Sequence, residues 1–334
     1  MQKKSDSAPV IAADIGGTKI LAALFSAGGK MLAKDTRPTL VEEGVSPIIE
    51  RLVSAIDGLC RQNNIKPSGL GGIGIACAGG IDTGQGVVVT PSPNMPGWKD
   101  IPLADILRER FGVKIYLVND ASAAALGEHR FGAGKGVKDL VLLTLGTGIG
   151  GGIIADGSLY LGAVGAAGEL GHMTVEDSGP ECGCGNRGCL EMLASGTAIA
   201  REAIKRINQG GKSALEGMAG GKIENITAEM VGAAARSGDS LAKEVIARAA
   251  YYLGVGLVNI VNIFNPEMVI LGGGMAGLGD LLTGPGKCMV AERAFSISSH
   301  AVRIVTAQLG NEAGVYGAAV FAREKIRGGR RENT

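Results

Sequence analysis

The chain has almost no excess of charge in either sign: 33 Lys and Arg face 32 Asp and Glu, for a net charge of +1. That balance gives no electrostatic basis for nucleic acid, membrane or polyanionic partners. No run reaches the apolar length of a membrane span. The polar start Met1-Gln2-Lys3-Lys4-Ser5-Asp6-Ser7 lacks the pattern of a secretory signal. Cysteine is sparse, with six residues of which three cluster at 182, 184 and 189. This usage fits a reducing cytoplasm, and Cys60, Cys77 and Cys288 are expected as buried small hydrophobes. A P-loop is missing as well, because Gly16-Gly17-Thr18-Lys19 lacks the four-residue spacer. Aromatics are only 4%.

What is present is glycine, 56 residues of 334, within a chain that is 46% hydrophobic. The length exceeds what one core usually serves, so two lobes are expected. Glycine at this level without Pro or Ser richness points to tight turns and close backbone approaches to a ligand. Val10 to Ala13 predicts a strand, Asp14-Ile15-Gly16-Gly17-Thr18-Lys19 a turn, and Ile20 to Phe25 a returning strand. Ile48, Ile49, Leu52, Val53, Ile56 and Leu59 recur at helical spacing within Ser46–Cys60, and Ile73–Cys77 reads as a strand. The plan repeats downstream: a strand Leu140–Leu145, a turn Gly146–Gly152 and an apolar resumption at Ile153-Ile154. A long helix Leu241–Phe264 follows, then a strand Met268–Leu271 running into Gly272-Gly273-Gly274. Two glycine hairpins, each followed by helix and strand, predict a duplicated α/β unit with a cleft between the copies. The last helix, about Ala313 to Ile326, is expected to pack back on the first lobe.

Both hairpins suit phosphate. Their backbone N–H groups are unobstructed by side chains, and two such turns facing a cleft clamp a triphosphate. Thr18 adds a hydroxyl, Lys19 a positive charge, and Asp14 a carboxylate able to hold Mg2+ directly or through water. Gly146-Thr147-Gly148-Ile149-Gly150-Gly151 and Gly272 to Gly277 also satisfy a dinucleotide G-x-G-x-x-G. The first continues as a hairpin, however, and the second has no acidic strand end after it, so a nicotinamide enzyme is disfavoured. Asn119-Asp120 ends the strand Ile115–Val118 and opens a small-residue helix from Ala121 to Glu128. Asp120 is either the N-cap of that helix or the base that accepts a hydroxyl proton in phosphoryl transfer, and the two duties are compatible. Asn94 sits in a turn-rich loop and can both donate to and accept from a polar ligand. Trp98 of the same loop reads as loop packing, and His129 and His300 as surface or structural.

The densest chemistry lies between 169 and 191, with Glu169, His172, Cys182, Cys184, Cys189 and Glu191. One imidazole and three thiols make a tetrahedral Cys3His zinc site. The alternatives are unpaired thiols or a disulfide plus one odd cysteine, and the Cys-x-Cys-x4-Cys packing is too tight for an ordinary disulfide framework.

Together these segments resemble the ROK sugar kinases, most closely their bacterial glucokinases. The motifs that carry the resemblance are Asp14 to Lys19, Pro93-Asn94, Asn119-Asp120, Leu145 to Gly152, Glu169 to His172 and Cys182 to Glu191, and they span nearly the whole chain. The zinc segment is the specific part, since the glycine turns are shared with other actin-like ATPases. The resemblance implies an α/β, actin-like (ribonuclease H-like) fold. Its small lobe would take 1–119 and 312–334, and its large lobe 120–311 with the zinc loop 172–191. It implies ATP-dependent phosphorylation of a hexose 6-hydroxyl, most closely that of glucose. Fructose, N-acetylglucosamine, N-acetylmannosamine and allose are the related substrates, and a sugar sensor without catalysis is the other class. Repressors of this family carry a helix-turn-helix ahead of the first glycine hairpin, and only about a dozen residues precede Asp14 here.

Residue by residue, the resemblance implies Asp120 as base and sugar contacts from Asn94, Asn119, Asp120, Glu169, His172 and Glu191. Phosphate contacts would come from Asp14, Gly16, Gly17, Thr18, Lys19, Gly146, Thr147, Gly148 and Gly150, and adenosine would lie near Gly273 and Gly274. Structural Zn2+ would sit on His172, Cys182, Cys184 and Cys189, with the second ring nitrogen of His172 facing the sugar. Mg-ATP and a sugar are the expected small-molecule partners, and a cytoplasmic homodimer the expected state.

Overall fold

The computed structural model describes residues 8–90, 92 and 94–328. The polar start 1–7, Pro93 of the Pro-Asn motif and the end of the expected small lobe beyond 328 lie outside them. The chain falls into two compact units. One takes the described residues up to Gly136, Gly152–Gly168 and those from Gln308; the other takes Val137–Gly151 and Glu169–Ala307.

The first unit opens with β1 (Val10–Ile15), β2 (Lys19–Phe25) and β3 (Met31–Pro38), followed by α1 (Val45–Gln62) and β4 (Ile73–Cys77). A small hairpin of β5 (Gly80–Asp82) and β6 (Val87–Thr90), not foreseen from the sequence, leads to α2 (Leu103–Phe111), β7 (Ile115–Asn119) and α3 (Asp120–Phe131). The chain then passes to β8 (Leu140–Leu145), β9 (Ile149–Ala155) and β10 (Ser158–Leu159). Helices α4 (Glu191–Ala194), α5 (Gly196–Asn208), α6 (Leu215–Met218), α7 (Ala228–Arg236) and α8 (Ser240–Phe264) follow. The chain ends in β11 (Met268–Gly272), α9 (Asp280–Arg293), α10 (Ser296–Ala301), β12 (Arg303–Thr306) and α11 (Ala313–Gly328).

Two sheets share one plan, with strand orders β3-β2-β1-β4-β7 and β10-β9-β8-β11-β12. In the first, β1 and β2 are antiparallel, whereas β4 lies parallel to β1 and β7 parallel to β4. In the second, β11 is parallel to both β8 and β12. Strands buried on both faces explain the unbroken apolar runs at Val10–Ala13 and Met268–Gly272.

The division differs from the expected 1–119/312–334 and 120–311, since α3 belongs to the first unit. Helix α3 buries every residue from Ala121 to His129 and packs on α11. Glycine permits the approach: a Cβ on Gly127 would collide with the Ala313 carbonyl, and one on Gly317 with the Ala123 carbonyl. The far end of α3 is held by buried Glu128. Its Oε1 accepts from the amides of Gln308 (2.8 Å) and Leu309 (2.6 Å), and its Oε2 from that of Ala133 (2.8 Å).

Three further expectations change. Among the described residues one helix, α8, is long and apolar enough to cross a membrane, although no such run was expected. Its buried residues from Leu241 to Val261 pack against α5, α7 and α9 in the second unit, so its apolarity serves that core. Cys288 is exposed rather than buried, because it lies off the α9 face formed by Leu282, Gly286, Met289 and Val290. The glycine turn of the second sheet ends at Gly148 instead of Gly152, since β9 already begins at Ile149.

Candidate active site and metal-binding loop

Because β1, β4 and β7 are parallel, their C-terminal ends share one sheet edge, where α/β folds bind ligands. Asp14 stands one residue before the end of β1, Cys77 ends β4, and Asn119 ends β7, with Ile15 paired to Cys77 and Cys77 to Asn119. Asp120 is the first residue of α3. The sequence left Asp120 open as the cap of this helix; the cap is Asn119. Its Oδ1 accepts from the amides of Ala121 (3.0 Å) and Ser122 (3.1 Å), and its Nδ2 donates to the Gly79 carbonyl at 3.2 Å. Capping therefore falls to the neutral amide, and the adjacent carboxylate accepts one helix amide, that of Ala121, at Oδ1.

Both carboxylates are perturbed. Burial raises Asp120 above the usual range, opposed by hydrogen bonds from Ala121 and its own amide. Burial, then the charge of Asp120, push Asp14 up to about 7, and Lys19 offsets this in part. Two mutually repelling acids beside a glycine turn form a site that attracts a cation. The chain also leaves room for Asp14 at a place the sequence did not reveal, since a Cβ on Gly314 of α11 would collide with its carboxylate.

The first turn is closed by the Gly16 amide donating to the Lys19 carbonyl at 3.0 Å. Gly17 rests on the Asn94 backbone, where an added Cβ would sit 2.8 Å from the carbonyl oxygen. This brings exposed Asn94 to the turn. Trp98 is fully buried, as loop packing requires.

In the second unit, His172, Cys182, Cys184 and Cys189 bring their ligand atoms within 4.8 Å of one another. Cys182 Sγ is 3.5 Å from His172 Nδ1, and Cys184 Sγ is 3.7 Å from Cys189 Sγ. A tetrahedral zinc ion with bonds of about 2.3 Å to sulfur and about 2.0 Å to nitrogen spaces its ligands about 3.5 Å (N to S) and about 3.8 Å (S to S) apart. The residues thus fit zinc, and all the cysteines are free of disulfides. Burial and the two neighbouring thiols push Cys189 up to about 12, a cost that a bound cation removes. The loop is braced from within by Asn186, whose Nδ2 donates to Thr174 Oγ1 at 2.9 Å and lies 3.6 Å from Cys189 Sγ. The other ring nitrogen of His172, Nε2, faces Glu169 Oε2 at 3.8 Å.

Two residues past Cys189, Glu191 accepts from the Ile149 amide at 2.9 Å. It fills the space where a Cβ on Gly148 would lie. The metal loop is thereby tied to the second glycine turn, which the Gly146 amide closes onto the Gly148 carbonyl at 2.9 Å. Gly150 does not belong to that turn: it lies within β9 and donates to Thr144 Oγ1 at 3.2 Å. Gly273, at φ +85°, packs on the Leu145 backbone just before Gly146, and Gly196 at the start of α5 donates to the Gly146 carbonyl at 2.8 Å. Gly146–Gly148, Gly196 and Gly273-Gly274 therefore converge.

Asp14, Gly16 to Lys19, Asn94, Asn119 and Asp120 thus gather in the first unit. The second unit brings together Gly146 to Gly148, Glu169, His172, the three cysteines, Glu191 and Gly273-Gly274. Repeated sheets with a glycine turn in each, and acidic groups at the strand ends, define the actin-like ATPase class. The ROK family pattern matches residues 10–325. The chain is 40% identical over 322 residues to a glucokinase of Thermotoga maritima, covering 96% of this chain and 98% of that one. It is 32% identical to a xylose repressor of Caldicellulosiruptor bescii, covering 95% and 78%. A ROK family glucokinase from Streptomyces griseus, solved in complex with glucose and AMPPNP, superposes with a TM-score of 0.80 at 36% identity, covering 95% of this chain and 99% of that one. The chain belongs to the ROK family and has its actin-like fold.

Proposed function

We propose that this chain transfers the γ-phosphoryl group of ATP to the 6-hydroxyl of glucose. The observation that carries this reading is the state of Asp120. It stands just past the C-terminal end of β7, beside the ends of the parallel strands β1 and β4, is relieved of capping by Asn119, and has its proton affinity raised by burial. A base with that affinity is suited to accept a hydroxyl proton.

Asp120 takes the proton of the 6-hydroxyl as that oxygen attacks the γ-phosphorus in line. The bond from phosphorus to the β-γ bridging oxygen breaks, leaving ADP and glucose 6-phosphate. Asn94, Asn119, Glu169, His172 and Glu191 hold the sugar hydroxyls. The turns Gly16–Lys19 and Gly146–Gly148 direct amides at the phosphates, and Gly273-Gly274 flank adenosine. Asp14 holds Mg2+, which when bound neutralises phosphate charge. His172 Nδ1, Cys182, Cys184 and Cys189 hold Zn2+, which when bound fixes the loop that carries His172 and Glu191. This division of labour is supported by the facing of Nδ1 toward the thiols and Nε2 toward Glu169.

The reading also assigns the chain to the reducing cytoplasm, supported by its free thiols, and to a homodimer. Support for the dimer comes from the second unit, where Ile263, Phe295 and Ile297 are each at least 66% exposed, and the Phe295 amide donates to the neighbour of Ile263, Asn262.

The test is ADP release from Mg-ATP with glucose, mannose, fructose, N-acetylglucosamine and N-acetylmannosamine. Strongest turnover with glucose is expected. Strongest turnover with another sugar would change the substrate and keep the mechanism. Absence of turnover with all five would favour a sugar sensor, the class to which the repressor similarity points.

A further inference from the structure

Thr39 follows β3 directly and is fully buried, although none of the motifs includes it. Its hydroxyl donates to the Gly16 carbonyl at 2.6 Å, and its amide donates to the Thr18 carbonyl at 3.0 Å. A trans peptide points its C=O and N–H in opposite directions within one plane. Holding the Gly16 oxygen therefore aims the Gly17 N–H away from Thr39, and holding the Thr18 oxygen does the same for the Lys19 N–H. A single buried side chain and its own amide thus set two peptide planes of the turn.

Thr39 is itself braced from behind. Arg51 of α1 donates from Nη1 to the Thr39 carbonyl at 2.7 Å and pairs through Nη2 with Glu43. On another flank, Gly17 rests on Asn94. The turn is short and rich in glycine, so its own dihedrals do not hold it. Fixed donors are what a preorganised anion site needs.

We propose that Thr39 is a positioning residue for the phosphate-binding turn, with its two hydrogen bonds aiming the Gly17 and Lys19 amides at the nucleotide phosphates. This rests on the reading that Gly16–Lys19 holds the phosphates of ATP. Threonine suits the place because its hydroxyl supplies the donor and its methyl fills the buried space; valine keeps the shape and removes the donor.

The experiment compares KM for ATP, KM for glucose and thermal midpoint in Thr39→Val, Thr39→Ser, Arg51→Met and the double variant Thr18→Ala/Lys19→Ala. Thr39→Val is expected to raise KM for ATP about tenfold, the scale of one buried hydrogen bond, with KM for glucose within about twofold. Thr39→Ser should restore KM for ATP to within about twofold of the parent, since the donor returns. Arg51→Met, which loosens Thr39 while keeping its hydroxyl, should raise KM for ATP about threefold and decides the matter if Thr39→Val fails to fold. An unchanged KM for ATP in Thr39→Val, or in Arg51→Met where only that variant folds, overturns the proposal. So do equal losses for both substrates with a lowered midpoint. If the Thr18→Ala/Lys19→Ala variant still raises KM for ATP in that case, the phosphate reading of the turn stands without Thr39. If it too leaves KM for ATP unchanged, the reading of the turn falls and the proposal with it.

Discussion

Replacing Asp14 by asparagine is expected to stabilise the nucleotide-free protein at alkaline pH while abolishing phosphoryl transfer. The carboxyl of Asp14 is pushed from 3.8 to about 7, first by burial and then by the charge of Asp120. The sign follows from linkage: below pH 3.8 folded and unfolded chains both hold the proton, and the group costs nothing. Between 3.8 and 7 the folded state keeps a proton that the unfolded state has lost, so the group's contribution turns against folding as pH rises. Above 7 the penalty is complete. A tenfold rise in proton affinity is worth about 1.4 kcal/mol, which gives roughly 4 kcal/mol at pH 8 and under about 2 kcal/mol at pH 5. Relaxation and the interaction with Asp120 reduce the pH 8 figure to about 2–4 kcal/mol, or roughly 3–6 °C in melting temperature for a chain of 334 residues. Asparagine occupies the same space, which Gly314 leaves open. The assay is thermal melting of parent and Asp14→Asn at pH 5 and pH 8 without nucleotide or magnesium. A difference in melting temperature that does not grow from pH 5 to pH 8 would refute the burial argument. A residue retained despite this cost is expected to meet a cation, so Mg-ATP should stabilise the parent at pH 8 far more than the variant.

Three other outcomes follow from the same geometry. Asp120→Asn should lower kcat at least about 100-fold with glucose affinity largely kept, checked by single-turnover kinetics and calorimetry. Near-parental turnover would remove the base assignment. Cys184→Ala should lose zinc, measured by elemental analysis, together with most activity, because the released loop carries His172 and reaches Glu191; full activity in zinc-free protein would contradict this. Light scattering should give twice the chain mass of 33.9 kDa, and a value near 33.9 kDa at working concentration would leave the patch at Ile263, Phe295 and Ile297 without its expected partner copy.

Much of this site is legible in the sequence because its ligands are local. His172 and the three cysteines lie within 18 residues, and their spacing carries the metal chemistry without any fold. The hairpins are equally local, since β1 and β2 meet across Gly16–Thr18. Three features were hidden because they depend on contacts distant along the chain or on a masked pattern. Gly314 makes room for Asp14, and Thr39 holds the first turn, each through a neighbour that periodicity does not announce. The start of β9 at Ile149 was hidden for a different reason: Gly150-Gly151-Gly152 erase the alternation that marks a strand, and the Gly150 contact with Thr144 restores it only in three dimensions. Asn119 and Asp120 are both good caps, and only the backbone at the end of β7 decides between them. The boundary of the first unit shifted because the packing of α3 on α11 joins segments far apart in the sequence.

The most direct test of the central claim is product identification. Purified protein would be incubated with Mg-ATP and glucose, and glucose 6-phosphate and ADP quantified together in the parent and in Asp120→Asn. The account predicts equimolar formation of both products by the parent and neither above background by the variant. ADP without glucose 6-phosphate, or equal product from the variant, would contradict it.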